Sequence, residues 1–144
     1  MATVNISLLF DGNCEEAFRY YATVFHSEIS SLIRYGDVPV QEGMPQLSEN
    51  DKNKIENVLL PISKETFLMG ADGVEAFGHR VICGTNFSVY ISADSKDEAD
   101  RMFNLLSGGG QISMPLTQSH WGDYFGMCKD KFGIGWMINY ASPK

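Results

Sequence analysis

Residues 120–140 read HWGDYFGMCKDKFGIGWMINY. Aromatic side chains crowd this stretch, and His120, Asp123 and Asn139 stand among them. An apolar concavity holding a few polar groups is the usual form of a small-molecule site. On that reading Trp121, Asp123, Phe125 and Asn139 are the ligand-binding candidates. A packed core hairpin about a turn at Asp130-Lys131-Phe132-Gly133 has the same appearance, and the pattern alone leaves both readings open.

The acid–base candidates are His79, in AFGHRVICG, and His120. An imidazole titrates near neutrality, so either residue could move a proton. Each is also readable as an ordinary loop histidine. His26 stands at the end of a helical pattern, where an imidazolium suits the negative end of the helix dipole. Cys14, Cys83 and Cys128 are odd in number and show no CxxC spacing. Three reduced thiols in a cytoplasmic protein is the expectation. Cys14 opens a helix, whose N-terminus can lower a thiol pKa; a plain structural role is the other reading.

The elements that must position these groups follow from periodicity. Residues 4–10 (VNISLLF) read as a strand, with the turn DGN after it. In CEEAFRYYATVFHSE, Ala17, Phe18, Tyr21, Val24 and Phe25 fall on one helical face, and Asn13 is a candidate cap. Strands are expected over 27–36, 55–62 and 66–72, with a polar loop over 37–54 that holds a short helix near 48–54. A second loop covers 72–85, and a strand 86–92. A helix capped by Ser95, with Glu98 three residues on and a glycine stop, comes next. Strands over 111–117, 120–130 and 134–140 finish the pattern. Alternation puts Trp121, Asp123, Phe125 and Met127 on one face, and Gly122, Tyr124, Gly126 and Cys128 on the other. Trp136, Ile138 and Tyr140 oppose Met137 and Asn139, with Trp136 assigned to the Trp121 face.

The bulk numbers bound the function. A chain of 144 residues with 44% hydrophobic content has the size and core of one domain. Its net charge of −7 and lack of a basic cluster argue against nucleic acid. No apolar run nears the ~20 residues of a membrane span. The first residues lack the basic and apolar regions of a signal peptide and read as the start of a folded domain. SGGGQ at 107–111 follows a helix and precedes a strand, the reverse of a nucleotide-binding loop.

ISLLFDGNCEEAFRYYATVF and FSVYISADSKDEADRMFNLLS share one grammar: strand, turn with Asp, helix with Glu-Ala. Three expected strands follow each helix. The chain is therefore two βαβββ modules, an α+β arrangement, with module 1 over about 1–72, a linker over 73–85 and module 2 over 86–144.

That duplication, with FDGNCEEAFRYYATVF, FLMGAD, GTNFSVYIS and WGDYFGMCKDKFGIGWMI, resembles the vicinal oxygen chelate superfamily of glyoxalases, bleomycin-resistance proteins and extradiol dioxygenases. The resemblance is narrower to its PhnB-like (3-demethylubiquinone 3-methyltransferase-like) branch. Lys131 replaces a proline usual in the branch, and Ile134 a common histidine. The resemblance implies curved half-barrel cups, often a homodimer with or without exchanged modules. It also implies a divalent metal held by His, Gln or Glu on the first and last strands. Here those strands offer Asn5, Ser7, Asn86 and Ser88, and Met137 or Asn139 where a Glu is usual. That set suits no transition metal, so no metal or other cofactor is expected. The expectation is a metal-free small-molecule binding protein. The alternatives are a metal-dependent lyase or dioxygenase using Asp72, His79, His120 and Asp123, and a pure interaction module.

Overall fold

The computed structural model describes residues 1–143. It divides into two compact units, Met1–Ile82 and a second that begins at Cys83. The boundary falls within the segment read as the linker.

In the first unit β1 (Ile6–Phe10) leads to α1 (Cys14–Val24) and β2 (Ser31–Arg34). The short α2 (Glu49–Lys52) then precedes β3 (Ile55–Pro61) and β4 (Phe67–Asp72). The sheet order is β1-β4-β3-β2. β1 runs parallel to β4, and the other pairs are antiparallel. α1 lies on β3 and β4. It buries Cys14, Ala17, Phe18, Tyr21 and Val24, an apolar stripe at helical spacing.

The second unit repeats this plan with β5 (Val89–Ser92), α3 (Lys96–Ser107), β6 (Gln111–Gln118), β7 (Tyr124–Lys129) and β8 (Gly135–Tyr140). Its order is β5-β8-β7-β6, again with the first and last strands parallel. α3 buries Ala99, Met102, Phe103 and Leu106 against β6, β7 and β8. The two βαβββ modules of the α+β expectation are both present. No helix among the described residues is long and apolar enough to cross a membrane.

Several strands are shorter than their propensity suggests, because a strand lasts only as long as its partner. β2 ends at Arg34, paired with Ile55, the first residue of β3. Beyond it the chain turns through a single 3-10 turn at Tyr35–Asp37. β5 starts at Val89, opposite Trp136, because β8 offers nothing before Gly135. Residues 86 and 87 therefore have no ladder to join.

The helix caps divide differently from the sequence reading. Ser95 accepts from the Glu98 backbone N–H at 3.1 Å, as its position suggests. Asn13 makes no side-chain cap bond. Asp72, at the end of β4, does that work: its Oδ1 accepts from the Gly12 and Cys14 backbone N–H groups, each at 3.0 Å. Its Oδ2 accepts from the Ile55 N–H at 2.9 Å. One carboxylate thus ties the start of α1 to the start of β3. His26 follows α1 with a left-handed backbone, φ 50°.

Glycines set how closely each helix approaches its sheet. A side chain at Gly70 would run into the Phe18 ring of α1. A Cβ at Gly126 would sit 2.9 Å from the Phe103 ring of α3. In both modules an aromatic ring of the helix rests on bare sheet backbone.

Candidate functional site

Strand register assigns the faces of the second module. Phe125 pairs with Asn139, Gly126 with Ile138, Met127 with Met137 and Cys128 with Trp136. Across β8, Tyr90 pairs with Met137 and Ser92 with Asn139. Residues opposite one another share a face. Tyr90, Ser92, Phe125, Met127, Met137 and Asn139 therefore form the face away from α3. Gly126, Cys128, Trp136 and Ile138 form the face beneath it. This corrects one assignment. Trp136 lies with the helix-facing residues, not with Trp121, because β7 and β8 pair residue 136 with residue 128. It is fully buried, and its indole Nε1 donates to Asp130 Oδ2 at 2.8 Å. Asp130 also accepts from the Phe132 and Ile134 backbone N–H groups. The carboxylate organises the turn and holds the indole.

The strand expected over 120–130 begins only at Tyr124. Before it the chain turns tightly. The Ser119 N–H donates to the Asp123 carbonyl at 2.7 Å, and the Gly122 N–H to the Ser119 carbonyl at 3.1 Å. Gly122 takes φ 102°, a conformation that strains any other residue. The turn brings Trp121 back onto the strand. Its ring lies 5.3 Å from Phe125 at an interplanar angle of 62°. His120 meets the other side of Trp121 edge-on at 4.9 Å. Tyr90 lies 6.4 Å from Phe125. Four rings thus run in a row, His120–Trp121–Phe125–Tyr90. Trp121 is 51% exposed and Tyr90 55%, whereas Phe125 is 9% exposed and anchors the row.

Beside the row sits a polar pair. Asn139 Nδ2 donates to Asp123 Oδ2 at 3.0 Å. Asn139 is buried, and its Oδ1 has no hydrogen-bond partner. The structure brings Trp121, Asp123, Phe125, Asn139 and His120 to one place. Asp72 and His79 belong to the other unit. Tyr90 is the member that sequence reasoning missed. It sat in a strand already recognised, but its place on this face depends on a parallel pairing to β8 that no local pattern announces.

The remaining candidates are engaged structurally. Asp72 is 1% exposed, and three backbone N–H groups occupy its two oxygens. It faces α1, on the side of β4 that carries Leu68 and Gly70, and that placement does not suit a metal ligand. His79 is exposed, and its Nδ1 accepts from the Val74 N–H at 3.0 Å. Asn5 Oδ1 accepts from the Phe67 N–H at 2.8 Å. Burial, reinforced by the neighbouring Asp72 and Glu15 charges, pushes the Cys14 thiol well up; the helix end does not lower it. Burial and Asp130 push Cys128 up to about 11.

Two open depressions, of about 410 and 510 Å³, lie in the first module near Asp11 and Lys54. Their lining includes two ion pairs, Lys54 with Asp51 at 2.9 Å and Arg34 with Glu15 at 2.9 Å, and Asp11, Glu75 and Arg80 also line the smaller one. The first module's open face carries Leu9, Leu59, Met69 and Ala71 by register, with Ser7, Ser31 and Asn57 as its polar members. Phe67, 37% exposed, shares that face, but the row of rings and the unpartnered amide oxygen of the second module have no counterpart among these residues.

Among the described residues no group of three His, Cys, Asp or Glu could hold a metal ion. The donors on the second module's open face are Asp123, Asn139 and the Ser92 and Thr117 hydroxyls, with the His120 imidazole at the end of the row of rings. One carboxylate and neutral oxygens, with the single imidazole of His120 set against the far side of the Trp121 ring, do not make the set of imidazole, carboxylate or thiolate ligands that a divalent transition metal asks for.

Residues 2–139 match the family described as 3-demethylubiquinone-9 3-methyltransferase. Protein PA1353 from Pseudomonas aeruginosa is 31% identical, with a TM-score of 0.84 over 99% of this chain and 100% of that one. The PhnB protein of Bacillus cereus is 25% identical, with a TM-score of 0.76 over 97% and 100% of the two chains. A glyoxalase/bleomycin resistance protein/dioxygenase family enzyme from Burkholderia phytofirmans is 11% identical, with a TM-score of 0.62 over 96% and 97%. That last likeness is one of fold alone.

Proposed function

The chain belongs to the 3-demethylubiquinone-9 3-methyltransferase family, within the glyoxalase/bleomycin resistance/dioxygenase fold, and on that footing we propose that it is a metal-free small-molecule binding protein. The ligand lies on the open face of the second module, with an aromatic or apolar body against Trp121, Phe125 and Tyr90. The observation that carries this reading is the buried Asn139 carbonyl oxygen left without a partner beside a half-exposed row of rings. A buried acceptor without a donor costs about 1–3 kcal/mol, and a bound ligand relieves it.

Methyl transfer is left out of the proposal. The glycines at 108–110 end α3 and precede β6, so they form a helix stop rather than a cofactor loop. A homodimer in the cytoplasm, with modules exchanged or not, belongs to the same reading. Light scattering at micromolar concentration that finds only the 16.0 kDa species removes the dimer.

The test combines metal analysis of untagged protein with a thermal-shift screen of small aromatic compounds. Compounds that raise the melting temperature of the wild type and fail on Trp121→Ala support the reading. Stoichiometric zinc, nickel, manganese or iron overturns the metal-free part. A panel that shifts wild type and variant alike overturns the assignment to this face.

A further inference from the structure

The same face says what kind of head group its ligand carries; this inference rests on the binding reading above. The Asn139 amide has a fixed orientation. Turning it over would put its oxygen against Asp123 Oδ2, two acceptors at 3.0 Å. With Nδ2 committed to Asp123, Oδ1 is left as a buried acceptor on a residue only 5% exposed. Apart from the second Nδ2 hydrogen, the pair therefore offers acceptors: the Asn139 carbonyl oxygen and the Asp123 carboxylate. What completes it is a hydrogen-bond donor, and beside a carboxylate a positively charged donor gains most.

Three further features point the same way. The Trp121, Phe125 and Tyr90 rings line the approach, and an aromatic face attracts a cation, with Trp the strongest. Lys129 is the only basic residue on the four strands of this sheet. It stands six residues along β7 from Asp123, about 20 Å at ~3.3 Å per residue. The net charge of −7 draws cations toward the protein and repels anions.

We infer that the ligand is an aromatic or amphipathic amine, its ammonium group donating to Asn139 Oδ1 and Asp123 and its apolar body lying on the Trp121–Phe125–Tyr90 row. A carboxylate or phosphate head group meets the like charge of Asp123 and binds weakest.

Three probes of one shape test this: 2-phenylethylamine, 2-phenylethanol and 3-phenylpropionate. Trp121 emission reports binding, since Trp136 is fully buried and these probes do not absorb at tryptophan excitation. The amine is expected to bind about tenfold or more tighter than the alcohol, and the carboxylate weakest. Asp123→Asn, at a half-buried position, keeps the shape and should bring the amine down to the alcohol while leaving the alcohol nearly unchanged. Asn139→Leu should weaken amine and alcohol together. Equal binding of all three, tighter binding of the carboxylate, or an amine affinity unmoved by Asp123→Asn overturns the inference and leaves the binding face standing. No response from any of the three removes the binding face, and the inference with it.

Discussion

Asp72 separates a structural carboxylate from a ligand-binding one, and its removal has a calculable effect. Its two oxygens satisfy the backbone N–H groups of Gly12, Cys14 and Ile55, the last two in buried bonds. Asp72→Ala leaves all three donors without their carboxylate acceptor. Each buried orphan costs about 1–3 kcal/mol, and loss of a helix cap alone costs about 1 kcal/mol. Allowing for partial relaxation, Asp72→Ala should cost about 3–5 kcal/mol, a large share of the ~5–15 kcal/mol that holds a domain folded. Asp72→Asn is the sharper probe. Its remaining oxygen keeps the Gly12 and Cys14 bonds, while its amide faces the Ile55 N–H, donor against donor. That variant should lose about 2 kcal/mol. Urea unfolding followed by circular dichroism gives both values. Hydrogen exchange then locates the damage, with the Ile55 amide unprotected in both variants and the Cys14 amide only in Asp72→Ala. Equal losses for Ala and Asn, or a loss below ~1 kcal/mol for Ala, would refute the capping argument.

The two tryptophans should part company: Trp136→Ala empties a fully buried site and removes the indole hydrogen bond to Asp130 Oδ2, costing about 3–5 kcal/mol or more in chemical denaturation. Trp121→Ala, on an exposed turn, should leave a folded protein and remove about 2 kcal/mol of ligand binding by calorimetry. In a thiol titration with a chromogenic disulfide, Cys83 should react at once, and the buried Cys14 and Cys128 only on unfolding. Cys128 should also make the protein sensitive to alkali. Burial and the Asp130 charge push its folded pKa up to about 11, above the ordinary thiol value of 9.0, so the unfolded chain ionises first as pH rises. Its stabilising contribution is intact below pH 9 and falls by about 2–3 kcal/mol by pH 11. Cys128→Ala should lessen that fall in urea titrations at stepped pH, the remainder coming from Cys14, whose buried thiol is also pushed up.

Much of the fold was legible because the duplication fixed it. Ala17, Phe18, Tyr21 and Val24 mark the buried stripe of α1, and Ala99, Met102, Phe103 and Leu106 that of α3, at the same spacing. Ser95 was readable as a cap because its acceptor and donor lie three residues apart. The cap on α1 was not, because Asp72 stands far from it in sequence and nothing local marks the pair. The same limit hid Tyr90 and misplaced Trp136. Alternation tells which residues of one strand share a face, but pairing between strands decides which face that is. Trp121, Asp123, Phe125 and Asn139 were grouped by type and spacing. Trp121 reaches the group through a glycine turn and not along a strand.

The parallel pairing of first and last strands also bears on the order in which the chain can acquire its structure. Within its own sheet, among the described residues, β1 pairs only with β4, and β5 only with β8. During synthesis Ile6–Phe10 emerges early and waits for Phe67–Asp72; the β3–β4 hairpin and α1 can form meanwhile from nearer contacts. The long loop closure that seats β1 is the slow, entropically costly step. A chain that stops short of β8 leaves β5 with an open edge, prone to pair with another nascent copy. The last strand of each module is thus the one whose arrival completes folding, and shortening the chain within Gly135–Tyr140 should trap protein as aggregate rather than yield a smaller folded form.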